Sequence, residues 1–142
     1  MKISISKGKA AGLVEAPPSK SMAHRLLICA GLSRGSCIVH GIAPSSDVLA
    51  TINCLEAMGV RCGIEVTGTD IKSSAAGRIL NCGESGSTLR FFVPLCLISG
   101  ANAVLAGSER LMERPLGIYK AMCEERGLMF SQDKTSLMVK GP

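Results

Sequence analysis

The same succession of elements is predicted twice along this chain of 142 residues. Each copy has a turn rich in Ser or Gly, a helix with an early Arg, a short strand, a second helix, a glycine and two strands. Arg25 and Arg90, 65 residues apart, mark the first helix of each copy, and Gly59 and Gly127 end the second helices. Because helices alternate with strands in both copies, the repeat predicts an α/β fold made of two related units.

The individual elements follow from apolar spacing, helix caps and turn residues. The predicted helices cover residues 19–32, 48–58 and 91–98, and a last helix opens at Pro115 and stops at Gly127. The predicted strands cover residues 2–6, 13–15, 37–39, 78–82, 104–105, 128–130 and 137–139. A hairpin is predicted for residues 60–66 and 70–72, with its turn at residues 67–69.

The composition is that of a globular domain with an aliphatic core: hydrophobic residues make up 46% and charged residues 19%. The net charge of +5 comes from scattered cations, and aromatic residues make up only 3%. Nucleic-acid binding by base stacking is therefore not favoured, whereas a small anionic partner fits a mild positive excess.

The cysteines and the N-terminus bear on the compartment. The seven cysteines lie mostly in apolar runs with no CxxC pair, which predicts buried thiols in a reducing compartment, with no disulfide framework and no metal site. The first residues lack the apolar core of a signal peptide, and the longest apolar run, residues 91–98, is too short to span a bilayer. We expect a soluble cytoplasmic protein with no membrane partner.

An unusual helix start carries the functional prediction. Residues 17–25 (PPSKSMAHR) read as a turn that enters a helix, yet Lys20 and Arg25 lie in or beside its first turn. A cation there faces the positive end of the helix dipole, which costs roughly 0.3–1 kcal/mol. Cations, hydroxyls and free backbone N–H groups at one helix start suit a bound phosphate or carboxylate. The alternative to an anion site is an ordinary helix start, in which a serine caps the helix and Lys20 and Arg25 are exposed to solvent.

Two further clusters point the same way, though each has a plain alternative. Residues 83–90 (GESGSTLR) form a glycine-spaced loop before a helix, which suits anion binding but also an ordinary capped helix. Residues 109–117 (ERLMERPLG) contain two arginines four apart, which suit bidentate anion binding but also surface ion pairs. The early arginines of the two copies could equally tie the units together.

The remaining polar residues suggest no catalytic triad or metal site. His24 and His40 have no Ser/Asp or Cys/Asp partner at a suggestive spacing. We expect His24 to be solvated and His40 to lie at a strand edge. Asp47 is interpreted as part of a helix cap rather than as an acid catalyst.

Taken in order, the three clusters resemble one family. Pro-Ser-Lys-Ser-x-x-x-Arg at 18–25, Gly-Glu-Ser-Gly-Ser-Thr-Leu-Arg at 83–90 and Glu-Arg-Leu-Met-Glu-Arg-Pro-Leu-Gly at 109–117 are similar to motifs of 5-enolpyruvylshikimate-3-phosphate synthases. The resemblance covers essentially the whole chain. It implies an α/β fold of the enolpyruvyl transferase type, an inside-out α/β barrel of repeated split βαβ units with helices inside and sheets outside.

The resemblance also implies a reaction, a transferase step of the shikimate pathway toward chorismate and the aromatic amino acids. The enolpyruvyl group of phosphoenolpyruvate passes to the 5-hydroxyl of shikimate 3-phosphate, releasing phosphate without a cofactor or metal. In the family pattern Lys20 contacts both substrates, while Ser21 and Arg25 hold shikimate 3-phosphate. The addition also needs a proton donor and a base, and Lys20 is the residue expected to assist with either. Gly86 and Arg114 lie at phosphoenolpyruvate. Glu84 replaces an Asn of many relatives, so its side chain receives no binding role.

Length departs from the family pattern. Family chains are about three times as long, with six such units in two domains, and the full-length enzyme is expected to be monomeric. By resemblance, residues 1–16 belong to the other domain, and residues 17–142 form two units (about 19–76 and 77–142) of the substrate-binding domain. We therefore expect an N-terminal fragment that is inactive alone.

Other functions stay open at this point. The related transferase acting on UDP-N-acetylglucosamine is disfavoured because Lys-Ser-x-x-x-Arg is a shikimate-phosphate feature and the loop cysteine of that enzyme is missing. A module of the same repeat that binds RNA or another anion without catalysis is disfavoured by the few aromatics. A purely structural fragment that competes for assembly is the third alternative.

Overall fold

The computed structural model describes residues 2–9, 11–70, 72, 77–100 and 102–142. The helices are α1 (Lys20–Leu32), α2 (Ser46–Ala57), α3 (Gly86–Ile98), α4 (Glu109–Met112) and α5 (Gly117–Glu125). The strands are β1 (Ser36–Cys37), β2 (Arg61–Cys62), β3 (Val66–Thr67), β4 (Ile79–Asn81), β5 (Asn102–Ala106), β6 (Met129–Gln132) and β7 (Ser136–Lys140). Helices and strands alternate, so the α/β prediction is confirmed.

Four helices begin with the same device. A serine precedes the helix, and its hydroxyl accepts a hydrogen bond from the backbone N–H three residues later. These N-caps are Ser19, Ser45, Ser85 and Ser108. The predicted helix starts at Ser19 and at residues 45–47 are thereby confirmed, and Ser45 rather than Asp47 provides the capping side chain.

The strands form two sheets of related topology. The first has the order β1-β3-β2 with both pairs antiparallel. The second has the order β4-β5-β7-β6, in which β4 runs parallel to β5 and the other pairs are antiparallel. One continuous apolar core joins α1, α2 and α3 to both sheets. Its largest fully buried members include Phe92, Leu55, Leu80, Leu89 and Leu105.

Some of the predicted strands are wrong, because no neighbouring strand among the described residues pairs with them. Residues 2–6 and 13–15 form no strand and are exposed, since a β-strand requires a neighbour to hydrogen-bond its backbone. The hairpin turns at residues 63–65 between β2 and β3, and not at residues 67–69. Of the second predicted arm of that hairpin, residue 71 lies outside the described residues. The remaining differences are small: β1 is displaced to Ser36–Cys37.

The later elements agree better with the predictions. Strands over 79–81, 102–106, 129–132 and 136–140 match the predicted ones within a few residues. Helix α3 starts five residues before the predicted position, because Ser85 caps it and Gly86 begins its first turn. None of the helices among the described residues is both long and apolar enough to cross a bilayer.

Candidate functional site

A chain of buried polar side chains joins the N-terminal ends of α1, α2 and α3. His24 Nδ1 lies 2.7 Å from Thr51 Oγ1, which lies 2.8 Å from Thr88 Oγ1. Thr88 Oγ1 in turn lies 2.7 Å from Ser85 Oγ, within hydrogen-bond distance. All four side chains are almost fully buried. Because buried hydroxyl and imidazole groups are costly to leave unpaired, this network fixes the three helix starts relative to one another.

His24 is therefore a core residue, and the prediction of a solvated His24 is wrong. Its side chain is 0% exposed, and its Nε2 has no hydrogen-bond partner within the described part of the chain. Burial lowers the pKa of His24 below its usual 6.5; nearby Lys20 and Arg25 lower it too, while Asp47 opposes them. Burial and the neighbouring cations Lys20 and Arg25 thus both favour the neutral form of the imidazole. His40 is exposed and lies beyond the end of β1.

Lys20 has an anionic neighbour within the protein itself. Its Nζ lies 2.6 Å from Oδ2 of Asp47, a residue in the first turn of α2. The Lys20 side chain is 54% exposed and that of Asp47 28%, so the pair borders solvent. Asp47 also benefits from the positive end of its own helix. The cation at the start of α1 is thus offset by a carboxylate across the helix interface, which sequence spacing did not reveal.

Arg25 is held over α3. Its guanidinium donates to the backbone carbonyl of Ser21 at 2.8 Å and lies 5.3 Å from the centre of the Phe91 ring. The stacking over Phe91 is a cation–π contact that fixes the direction of an otherwise flexible side chain. Arg25 and Ser21 are both exposed, so their remaining donors face solvent.

Gly86 and Arg114 meet at the start of α3. Gly86 is buried, and a Cβ at this position would overlap Nη1 of Arg114 and come within 3.4 Å of its Cζ. Arg114 itself is exposed and follows the short helix α4. The missing side chain of Gly86 thus lets the Arg114 guanidinium lie close against the first residue of α3.

A path of contacts links these residues. Lys20 pairs with Asp47, and the backbone carbonyl of Asp47 accepts a hydrogen bond from Thr88 Oγ1 at 3.4 Å. Thr88 lies in the first turn of α3, which begins at Gly86 against Arg114. Three helix starts and three cations therefore lie at one end of the molecule. Such an arrangement can bind a small polyanion through backbone N–H groups and charged donors.

Thr51, and the hydrogen bonds that link it to His24 and Thr88, were not identified from the sequence. Threonine is common beside apolar residues in helices. No local sequence pattern indicates that the imidazole of His24 and the hydroxyls of Thr51 and Thr88, which lie on three separate helices, are neighbours. The alternative interpretation of residues 109–114 as surface ion pairs is not supported, since no ion pair forms among these described residues. The two ion pairs among the described residues are Lys20–Asp47 and Lys120–Glu124.

The cysteines and the two cavities of about 600 Å³ contribute no side chain to this network. All seven cysteines are free; Cys54, Cys82, Cys96 and Cys123 are buried, whereas Cys29 and Cys37 are exposed, so the prediction of buried thiols holds for only part of the set. The described residues contain no group of His, Cys, Asp or Glu arranged to bind a metal ion. A cavity of about 620 Å³ lies between α4 and β6, and one of about 640 Å³ lies between α1 and the segment after β1.

Comparison with known proteins gives a consistent result. The profile of the family EPSP synthase (3-phosphoshikimate 1-carboxyvinyltransferase) matches residues 6–127. A 3-phosphoshikimate 1-carboxyvinyltransferase of Clostridium perfringens (strain SM101) is 37% identical over 141 residues, covering 96% of this chain and 33% of that protein. The protein of the same name from Clostridium beijerinckii is 40% identical, covering 91% of this chain and 32% of its own length.

The fold agrees with that of a solved structure, EPSP synthase from Acinetobacter baumannii. The TM-score is 0.75 at 22% sequence identity, covering 92% of this chain and 32% of that one. This likeness supports an α/β fold of the same type, present here as part of a domain. The chain spans about one third of the length of the relatives that it matches.

Proposed function

This chain belongs to the EPSP synthase family, and from that premise we propose that it supplies the phosphate- and carboxylate-binding part of an enolpyruvyl transfer site. The reaction proposed for the complete protein moves the enolpyruvyl group of phosphoenolpyruvate to the 5-hydroxyl of shikimate 3-phosphate and releases phosphate. We place this activity in the cytoplasm and assign it no cofactor and no nucleic-acid partner.

One observation carries the proposal: three helix N-termini converge and are held together by the buried His24–Thr51–Thr88–Ser85 network. Both proposed substrates are polyanions, and helix N-termini provide backbone donors and a positive field for them. A helix start built only for stability would carry acidic residues, but α1 and α3 have none in their first turns.

The cations at this end have complementary roles. Lys20 begins α1 and pairs with Asp47 of α2, and we assign its ammonium the contacts with both substrates. To Arg25, which is fixed over Phe91, and to Ser21 we assign the phosphate of shikimate 3-phosphate. Arg114 offers a planar fork that matches a carboxylate or phosphate of phosphoenolpyruvate, and Gly86 keeps the space for it.

The chemical step requires two proton movements that the complete site must provide. The methylene carbon of phosphoenolpyruvate gains a proton, and the attacking hydroxyl loses one. Lys20 is the residue of this chain suited to assist these proton transfers. Its side chain is partly exposed to solvent, and its hydrogen bond to Asp47 fixes the position of Nζ. Asp47 neutralises Lys20 until an anionic substrate arrives and competes for the ammonium.

A chain that spans one third of its relatives holds only part of such a site. We therefore expect no turnover from the 142 residues alone and only weak binding of the two substrates. The proposal also assigns residues 1–16 to the other domain of the complete enzyme and residues 17–142 to two units of the substrate-binding domain. It takes the complete enzyme to be a monomer.

The proposal is tested by mapping weak binding with backbone amide NMR shifts. Shikimate 3-phosphate and phosphoenolpyruvate are titrated separately, with a short RNA as comparison at two salt concentrations. The largest shifts are expected at the starts of α1, α2 and α3, and Arg114→Ala should abolish those caused by phosphoenolpyruvate. Arg110→Ala, which changes an exposed arginine one turn away, is the matched control.

Shifts confined to the cavity between α4 and β6, or tighter binding of RNA than of both substrates, would contradict the proposal. A coupled phosphate-release assay gives a separate check. Turnover by the 142-residue chain would show that the activity needs no further part.

A further inference from the structure

One atom of the buried network has no partner. Nε2 of His24 is buried and accepts or donates no hydrogen bond in the described part of the chain, while Nδ1 of the same ring bonds to Thr51. From Thr51 the contacts continue through Thr88 to Ser85, which caps α3. Unpaired buried polar atoms are uncommon in proteins. The network therefore runs from a ring nitrogen that is free to gain or lose a proton to the start of a helix.

The protons of the network can point outward, from the ring toward α3. Nδ1 of a neutral His24 then carries the hydrogen and donates to Thr51, 2.7 Å away. Thr51 donates to Thr88 at 2.8 Å. The hydroxyl of Thr88 has one proton, which it donates to Ser85 Oγ at 2.7 Å or to the backbone carbonyl of Asp47 at 3.4 Å. In this outward arrangement Nε2 is a bare acceptor.

The same atoms also allow the opposite, inward arrangement. Since a hydroxyl both donates and accepts, Ser85 can donate to Thr88 and Thr88 to Thr51. Thr51 then donates to Nδ1 of His24, and Nε2 carries the hydrogen. A neutral imidazole permits both arrangements, whereas a protonated one has a hydrogen on each nitrogen and permits only the outward one. The protonation of His24 therefore decides the direction of the whole chain of hydroxyls.

We propose that His24 is a positioning residue, whose protonation turns the hydroxyls toward the start of α3 and is coupled to the binding of an anion there. In the outward arrangement the positive ends of the O–H bonds point away from the ring, so they add to the positive field of the α3 N-terminus. In the inward arrangement they oppose that field. An anion thus favours the arrangement that protonation requires, and each event strengthens the other by the same factor. This coupling to an anion rests on the proposed function, whereas the link between His24 and the hydroxyls rests on the network alone.

The charges around the ring support the coupling. Burial lowers the pKa of His24 most; Asp47 on α2 opposes this effect, and Lys20 and Arg25 on α1 add to it. An anion bound beside Lys20 and Arg25 offsets their repulsion, so the ring accepts a proton more readily in its presence. β3, which also packs on α1, has no charged residue. The remaining charged residues of α2 and α3 are Glu56 and Arg90, both exposed.

NMR on the 142-residue chain without any ligand tests the link within the network. The backbone N–H of Thr88 donates to Ser85 Oγ, so its chemical shift reports on the bonds of that hydroxyl. Between about pH 7.5 and about pH 5 we expect this amide to follow the protonation of the His24 ring, with the same midpoint. Thr51→Val replaces the linking hydroxyl by a methyl group and should uncouple the two signals, whereas Thr51→Ser should retain the coupling.

Two results would overturn the link. One is an amide of Thr88 that does not respond when the His24 ring is protonated, and the other is a response that persists in Thr51→Val, which would mean that the charge acts through space. The first result needs only the unchanged chain, so it decides the question even where Thr51→Val does not fold.

Inorganic sulfate, whose charge is constant over this pH range, tests the coupling to an anion. Sulfate should bind at least about 5-fold more tightly at about pH 5 than at about pH 7.5, the lower end of coupling between sites. His24→Asn should remove this dependence, while His40→Asn, at an exposed position, should leave it. Equal affinities at the two pH values in the unchanged chain, or a His24 ring that stays neutral in saturating sulfate at about pH 5, would overturn the coupling. No binding of sulfate at either pH would contradict the proposed function and this coupling with it, while the Thr88 amide decides the link within the network separately.

Discussion

Gly86 lies directly beneath the guanidinium of Arg114, where any side chain on residue 86 would displace it. The contact joins the start of α3 to the segment after α4, two elements that are separated by β5 in the chain. The position of the exposed Arg114 side chain therefore depends on the absence of a Cβ at Gly86.

Gly86→Ala should therefore weaken anion binding while leaving the fold intact. The added Cβ pushes the Arg114 guanidinium off the helix start, and losing a charge-assisted contact worth about 1.5 kcal/mol lowers affinity about 10-fold. Phosphoenolpyruvate binding, followed by NMR titration, measures this. Gly117→Ala is the control, because Gly117 also begins a helix but has open space around its Cα. Equal affinity in the two variants would contradict the assignment.

Lys20→Ala should separate binding from stability. The Lys20–Asp47 pair borders solvent, and exposed ion pairs contribute only about 0–1 kcal/mol. We expect the free energy of unfolding in urea to change by less than about 1 kcal/mol, whereas shikimate 3-phosphate binding is lost. Lys120→Ala removes the other exposed ion pair and should affect neither quantity. A large loss of stability in Lys20→Ala would mean that the lysine is structural.

The helix starts could be predicted because their signals are local. Ser19 and Ser45 bond to backbone N–H groups three residues away, so the sequence carries both partners within one turn. The repeat was visible for the same reason, since glycines and early arginines recur at nearly constant spacing. Strands at residues 2–6 and 13–15 were mispredicted because alternation specifies a face but does not provide a neighbouring strand.

The interior of the site could not be predicted because its contacts are long-range. His24 reaches Thr51 across 27 positions, and Thr51 reaches Thr88 across 37. Nothing near His24 in the sequence distinguishes it from a solvated residue. The pairing of Lys20 with Asp47 was missed likewise, and with it the carboxylate that stabilises the cation when no ligand is present.

The buried His24 should make stability depend on pH near neutrality. Burial lowers its pKa in the folded state below the usual 6.5, so the unfolded chain binds the proton more readily. The free energy of unfolding is then at its full value above pH 6.5 and falls as the pH drops toward the folded-state pKa. Urea titrations between about pH 7.5 and about 5.5 measure the slope. His24→Asn should flatten it, while His40→Asn, at an exposed position, should leave it unchanged.

Gly68 and Gly141 should be equally intolerant of a side chain because they occupy equivalent places in the two units. Each follows an internal strand of its sheet, β3 or β7, and lies against the C-terminal end of the first helix of its unit. A Cβ on Gly68 would overlap Ser33 O and lie 2.7 Å from Ala30 O, and a Cβ on Gly141 would overlap Leu97 O. Since backbone cannot move aside as a flexible side chain does, either Gly→Ala change should cost about 1–3 kcal/mol in urea unfolding. Gly35→Ala, with no atom within 4 Å of the added methyl, should cost less than about 0.5 kcal/mol. If Gly68→Ala were as stable as Gly35→Ala, the close packing of each helix end on its sheet would not be a shared feature of the two units.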